Sequence, residues 1–261
     1  MYPELFKIGP LTVHTYGLFV AMGFLAGISL AVSRAKKIGL PHNQIADLGF
    51  YILLAAIVGS RVLYVFVNFS HFLSSPLDVF KIWEGGLVFY GGFLAAFATA
   101  VWYIKKHSLP VMKTLDVYAP SLAIGHALGR IGCFFAGCCY GAPATVPWAV
   151  TFTDPQCLAI KGVALHPTQL YESVGEFTIF FILLFVRSRQ KFDGQLIWVY
   201  GVAYSALRFT VEIFRGDFER GVYGGGISIS QDISIGIFLV SLFMLVRGLK
   251  KAAPQAKAMG K

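Results

Sequence analysis

The sequence predicts an all-α membrane protein of about seven transmembrane helices, with a periplasmic N-terminus, a cytoplasmic C-terminus and small extracytoplasmic loops. Three observations carry that expectation. Hydrophobic residues make up 56% of the 261 residues, with a mean hydropathy of +0.67. Charged residues fall to 13%, about half the ~25% usual in soluble domains. The basic residues gather in short clusters between the apolar runs.

Each membrane span requires ~20 mostly apolar residues. Runs of that kind are expected at 14–33, 48–68, 86–104, 116–135, 172–187, 195–213 and 229–246. The first run is followed by Arg34, Lys36 and Lys37 without a small-residue cleavage site, so it is expected to remain as a span rather than leave as a signal peptide. Basic clusters follow alternate spans: Arg34/Lys36/Lys37, Lys105/Lys106/Lys113, Arg187/Arg189/Lys191, and Arg247/Lys250/Lys251/Lys257/Lys261. The opposite side holds only Lys7, Lys81, Lys161, Arg215 and Arg220. This asymmetry sets the expected orientation, because cytoplasmic loops collect Lys and Arg. It also explains the net charge of +9 without a nucleic-acid partner. Residues 1–250 read as one polytopic membrane domain, and 251–261 as a basic, disordered cytoplasmic tail.

The irregular chain is expected on the outer face. One loop runs from about Ala136 to Leu170 and another from about Gly216 to Ser228, the latter with Gly224-Gly225-Gly226. The stretch from Ser70 to Gly86 includes Pro76 and Trp83 and suggests a short interfacial segment. No internal repeat of the transporter kind is evident.

Arg61, Arg130 and Arg208 fall inside spans, where an ionisable side chain is costly and usually faces a cavity or a partner. Arg130 lies in a glycine-rich run from Gly129 to Gly141. Its planar fork suits a phosphate, and an arginine snorkelling to the interface is the plainer reading. His166-Pro167-Thr168-Gln169-Leu170-Tyr171-Glu172 leads into the fifth span and reads either as a polar site or as a helix cap, with Pro167 suited to the first turn. Tyr204, Arg208 and Glu212 recur every four residues on one helix face, so Arg208 and Glu212 can pair, for packing or for function. Arg61 can hold a lipid phosphate or pair with an acid such as Asp116. His126, four residues before Arg130, reads as a structural histidine.

Cys133, Cys138, Cys139 and Cys157 lie near the outer side. The C-x4-C-C spacing is not a standard zinc pattern. Buried free thiols are one reading; a disulfide from Cys138 or Cys139 to Cys157 is the other.

The glycine-rich run resembles the signature of prolipoprotein diacylglyceryl transferases, roughly G-R-x-G-N-F-x-N-G-E-x-x-G, at Gly129, Arg130, Gly132, Phe134, Gly137 and Gly141. The resemblance extends over most of the chain. Tyr16-Gly17 matches an opening Y-G, and Tyr90-Gly91-Gly92 matches H-G-G or Y-G-G. His166 to Glu172 matches H-P-S/T-Q-L-Y-E, and Tyr204, Arg208, Glu212 and Arg215 match Y-x-x-x-R-x-x-x-E-x-x-R. Ser230-Gln231 resembles S-x-G-Q without its glycine. Cys133, Ala136 and Cys138 depart from the pattern, replacing two Asn and a Glu.

The resemblance implies a multi-pass enzyme of the bacterial inner membrane that carries out the first step of lipoprotein maturation. It implies transfer of the diacylglyceryl group of phosphatidylglycerol to the thiol of a prolipoprotein's lipobox cysteine, with glycerol phosphate released. The expected partners are phosphatidylglycerol, prolipoprotein signal peptides and membrane lipids; no cofactor or metal is expected. The expected catalytic residues are Arg208, Tyr90, His166 and Glu172, with the base open among Tyr90, His166 and Glu172. The expected substrate-binding residues are Arg130, Tyr16, Arg61, Tyr204, Glu212 and Gly141. A membrane thiol–disulfide protein or a lipid carrier on the same scaffold is the alternative.

Overall fold

The computed structural model describes residues 2–9, 11–81, 85–216 and 227–259. Trp83, Arg220, Gly224, Gly225, Gly226 and Lys261, on which the sequence reading drew, lie outside the described residues. The chain opens with a hairpin of β1 (Glu4–Ile8) and β2 (Leu11–His14), paired antiparallel with Ile8 opposite Leu11. Helices α1 (Thr15–Lys37), α2 (His42–Val67), α3 (Phe69–Ser74), α4 (Phe89–Lys106) and α5 (Val111–Ala136) follow. A second short antiparallel pair, β3 (Val150–Thr151) and β4 (Ala164–Leu165), precedes α6 (Thr168–Arg187), α7 (Gln195–Ile213) and α8 (Ile229–Met259). The protein is thus mostly helical, with two small hairpins that the all-α expectation did not include.

Among the described residues, five helices are long and apolar enough to cross a membrane: Thr15–Lys37, His42–Val67, Thr168–Arg187, Gln195–Ile213 and Ile229–Ala253. Helix α4 ends in Lys105 and Lys106, and α5 carries Asp116, His126 and Arg130, so neither is as uniformly apolar. Large apolar side chains such as Phe50, Phe97, Phe181, Phe185, Leu239 and Phe243 are exposed along the helices. Lipid-facing surfaces require such side chains, and the helices satisfy their own backbone polar groups. Helix α8 runs on to Met259 and takes in residues 251–259 of the expected tail.

The contacts divide the chain into two compact units, Met1–Leu30 with Leu115–Lys261, and Ala31–Thr114. In the second unit α2 packs on α4 through small residues. A β-carbon on Gly91 would collide with the Gly59 carbonyl, and one on Gly92 with Ser60 and Ala56. Without a hydrophobic drive between helices in lipid, such close approach is what supplies dispersion contact.

Arg61 organises the chain after α2. Its Nε donates to the Val79 carbonyl at 3.0 Å, Nη1 to Gly85 at 2.7 Å and Gly86 at 3.2 Å, and Nη2 to Asp78. Tyr64 and Phe72 present ring faces 5.4 and 5.6 Å from its guanidinium carbon. A five-donor planar fork can hold several loop carbonyls at once, which an ammonium cannot do in one plane.

In the first unit Ala119 and Ala123 of α5, Ile179 and Leu183 of α6 and Leu196 of α7 form a buried cluster. Asp116 is held by hydrogen bonds. It accepts hydrogen bonds from Gly194 N (2.6 Å), Ile197 N (3.0 Å) and Gln190 Nε2 (2.6 Å). It thereby caps the N-terminus of α7, where free amides and the helix dipole both favour a carboxylate. Helix α8 starts with a reciprocal cap: Gln231 N donates to Ser228 Oγ, and Ser228 N to Gln231 Oε1 at 3.0 Å. This is a capping box with Gln in the third position.

Candidate active site

Helices α5 and α6 each carry two polar groups four residues apart, His126 and Arg130 on one, Glu172 and Glu176 on the other. Such pairs share a helix face, so two helices can align all four. Arg130 Nη2 lies 2.9 Å from Glu172 Oε1. Arg130 Nε donates to His126 Nε2 at 3.2 Å, and His126 Nδ1 lies 2.8 Å from Glu176 Oε1. An imidazole that accepts at Nε2 carries its proton on Nδ1, so the neutral tautomer fits both contacts. Glu172 and Glu176 are fully buried, where a carboxylate without a partner would be very costly.

A second pair sits on α7. Arg208 Nη2 lies 2.7 Å from Glu212 Oε2 and donates to Ser230 Oγ of α8 at 3.1 Å. Arg208 Nη1 is buried, with no hydrogen-bond acceptor among the described residues. Tyr204, one turn before Arg208, stands between the two pairs: its ring lies 5.4 Å from His126 and stacks on Tyr200 at 5.7 Å. It is within electrostatic reach of Arg130, Arg208 and Glu172. Tyr16, at the start of α1, lies near Arg130 and the cysteines, and its backbone packs on Gly132 of α5.

The loops are tied together at Gly141. Its amide donates to His166 O at 2.9 Å, it bridges to Arg215, and the next amide, of Ala142, donates to Phe214 O at 2.8 Å. A β-carbon there would strike His166 and the Phe214 carbonyl, so only glycine fits the junction. Pro167 is the N-cap of α6 rather than part of its first turn. His166 Nδ1 lies 3.0 Å from the Tyr171 hydroxyl, which also accepts from Trp148 Nε1 at 2.7 Å. Thr168 Oγ1 donates to Cys139 O and Gln169 Nε2 to Cys138 O, at 2.8 and 2.7 Å.

The four cysteines are free thiols, and the expected bridge to Cys157 is not formed. Cys157 is buried with Phe152, Ala159 and Leu165, and its Sγ lies 3.6 Å from Ala136 O. Cys133, Cys138 and Cys139 instead group together, their Sγ atoms all within 4.8 Å of one another. The Cys138 thiol donates to Cys133 O at 3.7 Å, and the charges of Arg130 and Arg215 favour the thiolate at Cys139.

The first unit therefore brings together Tyr16, Arg130, Gly141, His166, Glu172, Tyr204, Arg208 and Glu212. Arg61 and Tyr90 belong to the second unit, Arg61 holding backbone carbonyls and Tyr90 60% exposed in the first turn of α4. His126 and Glu176 are partners that the sequence reading set aside or missed. Their signal was present as a second four-residue spacing on each helix, His126 before Arg130 and Glu176 after Glu172.

Fold and site together define a multi-pass membrane protein that buries two arginine–carboxylate pairs at the ends of its helices. A family model for prolipoprotein diacylglyceryl transferase matches residues 3–247. A phosphatidylglycerol–prolipoprotein diacylglyceryl transferase of Finegoldia magna is 36% identical over 247 residues, covering 94% of this chain and 95% of its own. Relatives of the same description from Vibrio cholerae and Geobacter sulfurreducens are 36% and 35% identical, covering 99% and 94% of this chain and 96% and 94% of their own. The chain belongs to the prolipoprotein diacylglyceryl transferase family.

Proposed function

We propose that this protein transfers the diacylglyceryl group of phosphatidylglycerol to the lipobox cysteine thiol of prolipoproteins, the first step of lipoprotein maturation, and releases glycerol phosphate. The observation that supports this reading best is the pair of largely buried arginines, Arg130 on Glu172 and Arg208 on Glu212, with Arg208 Nη1 lacking an acceptor among the described residues. A phosphate leaving group gains charge as its C–O bond breaks, and fixed donors placed where that charge develops lower the barrier.

In this reading Arg130 holds the lipid phosphate and Arg208 the charge that develops on it. Glu212 and Ser230 orient the Arg208 fork, and Tyr16 and Tyr204 position the headgroup. Glu172 is engaged with Arg130 and makes a poor proton acceptor. His166 takes the thiol proton, since a neutral imidazole accepts protons near neutral pH. Arg61 is given no part in phosphate binding, because its donors are taken by loop carbonyls.

The protein crosses the bacterial inner membrane seven times, with α4 and α5 as the further spans beside the five apolar helices. Its N-terminus is periplasmic and its C-terminus cytoplasmic, as the basic clusters favour. The test is complementation of a transferase-depleted bacterium, with the mass of the lipoprotein cysteine as readout. A diacylglyceryl-modified cysteine is expected; growth without that modification, or no modification at all, would overturn the reading.

A further inference from the structure

Nothing in the reaction above uses Cys133, Cys138 and Cys139. Cys133 lies in the last turn of α5, and the chain then reverses through Gly137 at φ 74°. Cys139 itself sits at φ 60°, a left-handed conformation that a non-glycine residue keeps only where its surroundings hold it. Here two side chains of α6 hold it, Gln169 on the Cys138 carbonyl and Thr168 on the Cys139 carbonyl. The strained turn is what carries Cys138 and Cys139 back to Cys133, so that a spacing unlike any common metal pattern yields three sulfurs within 4.8 Å of one another. Zn–S bonds of ~2.3 Å place tetrahedral thiolates about 3.8 Å apart. The trio therefore needs to close by no more than about 1 Å to meet that geometry.

We propose that Cys133, Cys138 and Cys139 hold a zinc-class divalent cation as three thiolate ligands, and that its fourth position takes the thiol of the acceptor cysteine. The cation site stands on the cysteine geometry alone; the role of its fourth position rests on the transfer reaction proposed above. Three protein ligands with one open position are the arrangement of catalytic zinc, whereas structural zinc is closed by four. Three thiolates on a divalent cation leave one negative charge, and Arg130 lies within electrostatic reach of Cys133 and Cys139. Cys133 follows Arg130 by three residues on α5, about one turn, so a sulfur bound there approaches the phosphate site from the same helix face.

The chemistry balances without any redox step. The acceptor thiol binds the cation and gives up its proton to His166. Its sulfur then forms the bond to the glycerol carbon as the C–O bond to phosphate breaks, and glycerol phosphate leaves with the electron pair. The cation keeps its charge and releases the thioether, a weaker ligand than a thiolate.

The test is a Co2+ titration of the full-length, reduced and chelator-stripped protein in detergent, with all variants compared at equal monodisperse recovery. One equivalent is expected to give a thiolate-to-cobalt charge-transfer band and tetrahedral visible bands, both displaced by Zn2+. Cys133→Ser, Cys138→Ser and Cys139→Ser each weaken binding about 10-fold or more, while Cys157→Ala titrates as wild type. A lipobox peptide with its cysteine shifts the visible bands, and the same peptide with serine does not. Absence of the charge-transfer band, its survival in the triple serine variant or its loss in Cys157→Ala overturns the cation site. A normal cobalt spectrum that the cysteine peptide leaves unchanged, or full-rate transfer by stripped protein, overturns the fourth-position role and leaves the transfer reading intact. A cobalt spectrum with the expected peptide shift in a protein that never transfers lipid fails the reaction and keeps the site.

Discussion

Glu172 Oε1 lies 2.9 Å from Arg130 Nη2, with the two side chains only 2% and 15% exposed. A guanidinium held this way has one edge fixed by the protein and its charge retained for a ligand. Arg130→Ala is expected to lower transfer by about 100–1000-fold, the range for removal of one preorganised donor at a developing charge. Arg130→Lys should recover little, because a point charge cannot keep Glu172, His126 and a phosphate in one plane. Membrane accumulation of both variants should match wild type. Near-normal transfer by the alanine variant would remove Arg130 from the phosphate site.

Arg208 is steered from two helices, by Glu212 on its own and Ser230 on the next. Ser230→Ala removes one neutral acceptor and is expected to cost about threefold to tenfold in kcat/KM. Glu212→Gln keeps the shape and removes the charge, and should cost more than Ser230→Ala, mostly in kcat. Equal effects of the two substitutions, or a change in KM alone, would argue that Arg208 binds lipid without following the reaction.

His166 bears on the pH dependence. As base it works only when unprotonated, so kcat/KM of the wild type should fall as pH drops. His166→Gln should flatten that acidic limb at a reduced plateau. A profile in the variant that keeps the acidic limb would assign the proton transfer elsewhere.

Asp116 is a prediction about stability. Asp116→Ala leaves the amides of Gly194 and Ile197 without their acceptor in a buried setting. The expected loss is about 1–3 kcal/mol for each buried donor left unsatisfied, before any rescue by water. Thermal unfolding in detergent should show a lower midpoint, and lipid transfer at low temperature should stay near wild type. An unchanged midpoint would mean that the α7 cap carries no net stability.

Periodicity in the sequence was enough to find the Arg208–Glu212 pair, because both groups lie on one helix four residues apart. The Arg130–Glu172 pair is separated by 42 residues and lies on two helices, and only the resemblance placed both in one site. The cysteine trio was hidden for a different reason. The positive φ angles at Gly137 and Cys139 are backbone states that the side-chain pattern does not announce, and together they return the chain to Cys133. The β1–β2 hairpin passed unread because its strands are short, although Gly9-Pro10 is a turn signal. Arg61 was legible as a buried charge but not in its role. A guanidinium satisfied by backbone carbonyls has no sequence partner to find.

The cap on α7 carries a consequence for biogenesis. Asp116 is synthesised 78 residues before the Gly194 amide it accepts from. Until that segment emerges, α5 holds a carboxylate that has neither the helix terminus nor Gln190 beside it. A nascent chain stopped short of α7 should therefore carry Asp116 without its backbone partners, and completion of α7 supplies them.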